Sequence, residues 1–281
     1  MARSPDQTRA TSDRFGYGWI AAGLPEPVTS PIDYHLHLMQ TALGAPPFSG
    51  TILDAGAGEG IDLASVGLTP GCRAVGVELS SGGIRATAAR ISTVPRATLV
   101  QGNILSMPFR SNAFDHAYSY GVVHHTVDPQ SAVREIVRTV KPGGSVLIYV
   151  YEDFERRGVL AQLALKTVNA IRRPISGMSP TDIRRFCTML APIVWVTCTV
   201  PSRYFRYFSW ARRLPYPASQ NPTMKSLIPD LYDRFAAPIE ERYSERGARA
   251  LLEQAGCDVK ASAYIRGWAV WGQKTSGDLV I

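Results

Sequence analysis

From residue 51 onward, short apolar runs alternate with stretches whose apolar positions recur every three or four residues. The runs Thr51–Asp54, Cys72–Glu78, Ala97–Gln101, Phe114–Tyr120 and Ser145–Tyr151 read as strands. Between them, Ser80–Thr93 reads as a helix weakened by Gly82 and Gly83. Pro129–Val140 reads as a second, with Val133, Ile136, Val137 and Val140 on one face. Lys141-Pro142-Gly143-Gly144 is a turn. The rhythm stops near residue 153 and resumes near 244 with a helix over Glu245–Ala255, a stop at Gly256, and strands near Asp258–Tyr264 and Trp268–Gln273. So few residues separate these last two that they must form an antiparallel hairpin. Apolar strands alternating with helices predict an α/β fold, a doubly wound, mostly parallel seven-stranded sheet covered on both faces and closed by that hairpin.

Two segments stand outside this rhythm. Residues 1–45 are mixed, with helix N-caps on offer at Thr11, Ser12 and Asp13, interruptions at Pro25, Pro27 and Pro31, and a short helix expected over Ile32–Ala42. Residues 153–243 form an expected insert between core segments 46–152 and 244–281. The longest apolar candidate for a membrane span, within Cys187–Val200, is too short for the ~18 residues required. No apolar core follows the N-terminus, so a secretory signal is not expected.

Composition changes this picture at two points. Cys72, Cys187, Cys198 and Cys257 are widely spaced, which suggests neither a disulfide framework nor a zinc site, and fits the reduced thiols of a cytoplasm. The net charge of +7 is unevenly spread. From Arg156 to Lys225 there are 12 basic residues against Asp182 alone, so the rest of the chain is acidic on balance. The basic residues include the pairs Arg156–Arg157, Arg172–Arg173, Arg184–Arg185 and Arg212–Arg213, interleaved with apolar and aromatic stretches.

The chemistry concentrates after the first strand, in ILDAGAGEG at 52–60. Glycines there let a backbone approach a ligand and present N–H groups at a helix start. A dinucleotide fingerprint needs a third glycine where Ile61 stands, and no lysine follows to make a P-loop, so a nicotinamide oxidoreductase is disfavoured. Asp54 at the mouth would repel a phosphate and suit an ammonium group. Glu78, at the end of the second strand, is placed to accept from a ribose diol. A nucleoside with a cationic tail and no phosphate meets both demands, and S-adenosylmethionine is such a molecule.

Here the chain resembles the class I S-adenosylmethionine-dependent methyltransferases of small-molecule type. ILDAGAGEG, AVGVELS at 74–80, VQGNILSMPF at 100–109, FDHAYSYGVVHHTVDP at 114–129 and REIVRTVKPGGSVLIYVY at 134–151 carry the resemblance, in order over about 100 residues. It implies the Rossmann-like methyltransferase fold. Asp54, Gly56 and Gly58 would hold the amino-acid end of the cofactor, Glu78 and Leu79 the ribose, and Asn103 and Ile104 the adenine, with Asn103 replacing the commoner aspartate. Tyr120 and Gly121 would line the sulfonium side. Tyr17, with Trp19 in FGYGW, either belongs to an N-terminal lid or anchors the core.

Methyl transfer needs alignment and, for some acceptors, removal of a proton. His125, His124 and Glu152, at the carboxyl edge of the fourth and fifth strands, are the candidate bases; the histidines equally suit a role ordering their loop. His35 and His37 read as packing or surface residues, and metal-independent chemistry is expected. The insert fits a mainly helical, acceptor-binding cap. Its apolar walls suit a hydrophobic small molecule such as a terpenoid, polyketide or other secondary metabolite, methylated on carbon or oxygen, and its arginines suit an anionic group on it. A membrane lipid or lipid-linked acceptor under a cap resting on the bilayer is the alternative, ahead of nucleic acid and of a non-catalytic cofactor-binding subunit. The apolar insert and the N-terminal segment are where contacts of a homo-oligomer are expected.

Overall fold

The computed structural model describes residues 5–21, 23–208 and 223–276. Two compact units emerge, one of Met1–Lys166 with Ile239–Ile281, the other of Thr167–Pro238. The second lies inside the insert expected at 153–243. The arginine pair Arg212–Arg213 and Trp210 lie outside the described residues.

The first unit holds a seven-stranded sheet. Its strands are β1 (Gly50–Ala55), β2 (Cys72–Glu78), β3 (Ala97–Gln101), β4 (His116–Tyr120), β5 (Ser145–Val150), β6 (Cys257–Tyr264) and β7 (Trp268–Lys274). Their order is β3-β2-β1-β4-β5-β7-β6. β1 pairs in parallel with β2 and β4, and β7 pairs antiparallel with β5 and β6. The strand order reverses between β1 and β4, so a crevice opens beyond their carboxyl ends.

The helices of this unit are α1 (Pro5–Ile20), α2 (His35–Leu43), α3 (Ile61–Leu68), α4 (Ser81–Arg90), α5 (Pro129–Thr139) and α10 (Glu245–Glu253). Alternation along each strand sorts the core into two layers. Leu53, Ala55, Val146, Ile148 and Val150 face one side, with Ile136 and Val137 of α5 and Leu251 and Leu252 of α10. Ile52, Leu147 and Tyr149 face the other, with Met39 of α2 and Leu63 of α3. Leu53, fully buried, would cost about 2–5 kcal/mol on truncation to alanine. Asp128 caps α5 by accepting from the Ser131 N–H at 3.0 Å, with Pro129 in the first turn.

Several boundaries differ from the sequence reading. Thr11, Ser12 and Asp13 lie inside α1, not at its start, and the Thr11 hydroxyl is satisfied by donating to the Gln7 carbonyl one turn back, at 2.8 Å. α2 starts at His35, three residues later than expected. Gly82 and Gly83 of α4 are demanded by packing. A Cβ on Gly82 would lie 2.0 Å from the Gly16 carbonyl oxygen, so the bare backbone is what lets α1 cross there, and one on Gly83 would lie 2.7 Å from the Glu78 side chain.

The second unit is helical among its described residues. α6 (Val159–Ile175) leads into it, followed by α7 (Pro180–Val194), a π-turn (Trp195–Thr199), α8 (Val200–Tyr204) and α9 (Met224–Ala236). α7, the π-turn and α8 form one continuous helix of 25 residues, long and apolar enough to cross a membrane. The stretch judged too short from sequence is therefore only its centre. Pro192 and Pro201 do not end it, and the π-turn takes up the register change just before Pro201, which has no N–H to donate.

Candidate functional site

The glycine loop lies between β1 and α3, at the reversal of strand order. Gly56, Gly58 and Gly60 all have positive φ, at 99°, 57° and 80°. A Cβ on Gly56 would meet Val122 at 2.4 Å, and one on Gly60 would meet Thr87 at 2.7 Å. α4 holds the loop from below, with the Thr87 hydroxyl donating to the Gly58 carbonyl at 2.8 Å and Arg90 to the Glu59 carbonyl and carboxylate, both at 2.8 Å.

Asp54 ends β1 with 4% of its surface exposed. Burial, more than anything else, holds its carboxyl well above the usual range; Asp62 and Glu78 add to the rise. Tyr118, its neighbour in the β1–β4 register, makes no hydrogen bond of normal geometry but tempers the shift. Two further acids, Asp62 and Glu78, thus share this corner with Asp54. A cationic ligand would stabilise this acidic corner, whereas a phosphate would be repelled. The corner therefore fits the ammonium end of S-adenosylmethionine.

Glu78 is also buried, at 6% exposed. Its carboxylate accepts from the Ser80 N–H and hydroxyl, both at 2.7 Å, and from the Gly58 N–H at 3.1 Å. Burial raises its pKa against these bonds. Ser80 in turn caps α4 by accepting from the Gly83 N–H at 2.9 Å. The predicted ribose and amino-acid subsites are thus tied together through one carboxylate. Leu79, half-buried, gives its carbonyl to Gln101 at 3.2 Å. Asn103 spends its side-chain oxygen on the Leu105 N–H at 3.0 Å, ordering its own turn, while Ile104 is buried in the core beside it. An acceptor bond from adenine would have to share that oxygen.

α1 covers this region from above. Gly16 packs on Ser80 and Gly82, Trp19 lies 3.2 Å from where a Cβ of Gly58 would be, and Phe15 sits 5.1 Å from the His125 ring. Tyr17 is half-buried on the same helix.

The β4–α5 loop carries both histidines. The His125 Nδ1–H donates to the Ile239 carbonyl at 2.7 Å, which fixes the orientation of the ring. His124 is fully buried, and among the described residues neither of its ring nitrogens has a hydrogen-bond partner. Burial, then His125 and Arg242, push its pKa well below normal, so it is a neutral ring packed 4.2 Å from Tyr151. Glu152 is 3% exposed and committed elsewhere. It pairs with Arg157 and accepts from the Tyr264 hydroxyl at 2.7 Å. This ties the end of β5 to β6.

Sequence reasoning missed two features. Asp62, in the first turn of α3, holds the His35 Nδ1 at 3.0 Å and the Leu36 N–H at 2.9 Å. His35 stacks on Tyr120 at 3.7 Å, and Tyr120 on Tyr149 at 4.3 Å, so aromatic rings line the carboxyl edge beside Gly121. Burial pushes the Tyr149 hydroxyl up to about 12. The other feature is the return segment after the insert. The Ile239 carbonyl takes the His125 proton, the Glu241 N–H donates to the His124 carbonyl at 2.9 Å, and the Tyr243 N–H donates to the Tyr151 carbonyl at 2.8 Å. Neither has a local motif, because both pair residues distant in sequence.

Comparison with known proteins agrees with this geometry. A family model described as a methyltransferase domain matches residues 53–148. A tRNA (carboxymethyluridine(34)-5-O)-methyltransferase of Arabidopsis thaliana is 37% identical over 145 residues, 49% of this chain and 34% of that protein. Sterol 24-C-methyltransferase erg6 of Schizosaccharomyces pombe is 27% identical over 147 residues, 49% of this chain and 39% of that protein. The chain thus spans little more than a third of the length of these curated relatives. A chain of a solved complex that contains the Haloferax volcanii Trm112 methyltransferase activator shares the fold at a TM-score of 0.52 and 16% identity, covering 88% of this chain and 92% of that one. The glycine loop, the two buried acids and the sheet order agree with the family match: residues 53–148 carry a methyltransferase domain of the class I S-adenosylmethionine-dependent kind.

Proposed function

We propose that the chain transfers a methyl group from S-adenosylmethionine to a hydrophobic small molecule, a terpenoid, polyketide or similar secondary metabolite, at carbon or oxygen. The observation that carries this reading is the run of aromatic rings along the carboxyl edge of β4 and β5. It passes from His35 through Tyr120 and Tyr149 to Tyr151, His125 and Phe15. Such a wall suits an apolar acceptor, and one of the relatives acts on a sterol by its name.

Bound S-adenosylmethionine supplies an electrophilic methyl on a sulfonium, which the acceptor displaces in line. Asp54 would hold the ammonium and Glu78 the ribose hydroxyls, with Asn103 and Ile104 beside the adenine. Tyr120 and Gly121 would flank the sulfonium. α1 would exclude water from above through Phe15 and Trp19. His125 would take a proton at Nε2 where the acceptor loses one, its ring oriented by the Ile239 carbonyl.

A second reading, a nucleic-acid acceptor, is favoured by the tRNA-modifying relative and by the arginine-rich insert. Methyl-labelled S-adenosylmethionine incubated with the protein and, in parallel, apolar metabolite extract or total tRNA separates the two. Label in the organic phase supports the first; label in tRNA alone refutes it.

A further inference from the structure

The long helix of the second unit has two unlike sides. On one, Ile183, Cys187, Ala191 and Thr199 are fully buried and Ser202 nearly so. That side is buried within the unit, whose α9 packs on α7 and buries Leu227 and Leu231. The opposite side carries Met189, Ile193 and Val196, which are 68%, 58% and 63% exposed. Their spacing of four and three residues puts them on one stripe. From Phe186 to Ser202 there is no charged residue. Arg184 and Arg185 stand before this stretch, and Arg203 and Arg206 after it. Beyond it, Tyr204 and Tyr207 are 80% and 81% exposed. Arg203 lies over the Trp195 ring at 5.1 Å and Arg206 over Tyr207 at 5.0 Å.

We propose that this stripe docks on an anionic lipid bilayer, with the helix lying in the plane of the interface. A spanning orientation is disfavoured, because the helix already has one side packed against its own unit. The lying orientation places Met189, Ile193 and Val196 at the acyl boundary, with the arginines at both ends among anionic headgroups and the tyrosines at the interface. A second copy of the chain is the poorer occupant. Asp182 is the one acid between Arg156 and Lys225, and it is paired with Arg185 at 3.2 Å. Face-to-face association would set the arginines that flank the stripe against one another.

The test is co-sedimentation of the full chain with vesicles of phosphatidylcholine alone and of phosphatidylcholine with about one-third phosphatidylglycerol. Binding should be at least about tenfold stronger to the anionic vesicles and should weaken with salt. Ile193→Asp should lower it about tenfold or more, and Val196→Glu likewise. Both sites are exposed, so melting temperature and S-adenosylhomocysteine affinity should not change, which separates lost docking from lost folding. Absent binding to anionic vesicles overturns the proposal. So does binding that salt abolishes and Ile193→Asp leaves unaltered, since the arginines would then act without the stripe. A wild-type dimer in light scattering that Ile193→Asp converts to a monomer would award the face to a second copy.

Discussion

Gly82→Ala sets two physical effects against each other. In an exposed helix interior the change would gain up to about 1 kcal/mol from propensity. At this crossing the new methyl would lie 2.0 Å from the Gly16 carbonyl oxygen and 2.4 Å from its carbon. That is about 1.4 Å inside the 3.4 Å at which ordinary contact begins, and both atoms are backbone, so no rotamer relieves it. α1 must move away from α4, with a strain of about 1–3 kcal/mol if it stays. Moving it withdraws Trp19 from the Gly58 loop and Phe15 from His125. If α1 roofs the cofactor, the affinity for S-adenosylhomocysteine should fall by about 1–3 kcal/mol, roughly 5- to 150-fold. The sheet, which α4 joins through its other side, should stay folded. Calorimetric titration gives the affinity, and limited proteolysis reports release of α1. A variant that melts higher than wild type and binds S-adenosylhomocysteine equally well would refute the crossing and the roof together.

Three further outcomes are expected. Glu78→Gln should weaken S-adenosylhomocysteine binding by about 1–3 kcal/mol, since one amide oxygen replaces two that now accept from Ser80 and Gly58; unchanged affinity would remove Glu78 from the site. His125→Asn keeps a side-chain N–H for the Ile239 carbonyl but deletes Nε2, so turnover should drop by about 10²–10⁴-fold if His125 is the base, and a near-normal rate would leave it an ordering role only. The raised Asp54 carboxyl holds its proton more tightly folded than unfolded, so its stabilising effect is full at low pH and is lost as pH rises through the raised value. A bound ammonium favours the ionised form, so binding at mildly acidic pH should release a proton, detected by titration in buffers of different ionisation enthalpy. Asp54→Asn should abolish the release, and its absence in the wild type would exclude an ammonium at this carboxylate.

The sheet was legible because most strands are rich in apolar residues and are bounded by turns with their own chemistry. KPGG before β5 and Gly256 before β6 mark their ends locally. The places of Asp54, Gly56, Gly58 and Glu78 at the carboxyl edge of the sheet were legible for the same reason, since their order follows the strands. What stayed hidden depends on tertiary pairing. Glu152 reads as a free carboxylate at the right edge until Arg157 and Tyr264 are seen to claim it. The glycines of α4 look like defects until α1 lies across them. Asp62 is an ordinary first-turn acid in sequence, and only the fold brings His35 to it.

The return segment has a consequence for how such a chain can change. The loop bearing His124 and His125 is gripped by Ile239 and Glu241, and Tyr243 locks onto the end of β5. These grips are made by residues that follow the inserted unit and use backbone atoms, apart from the imidazole itself. The histidine loop is thus held by main-chain pairings that do not depend on which side chains Ile239, Glu241 and Tyr243 carry. Substitutions in this return segment that keep the main-chain path should therefore leave the histidine loop in register.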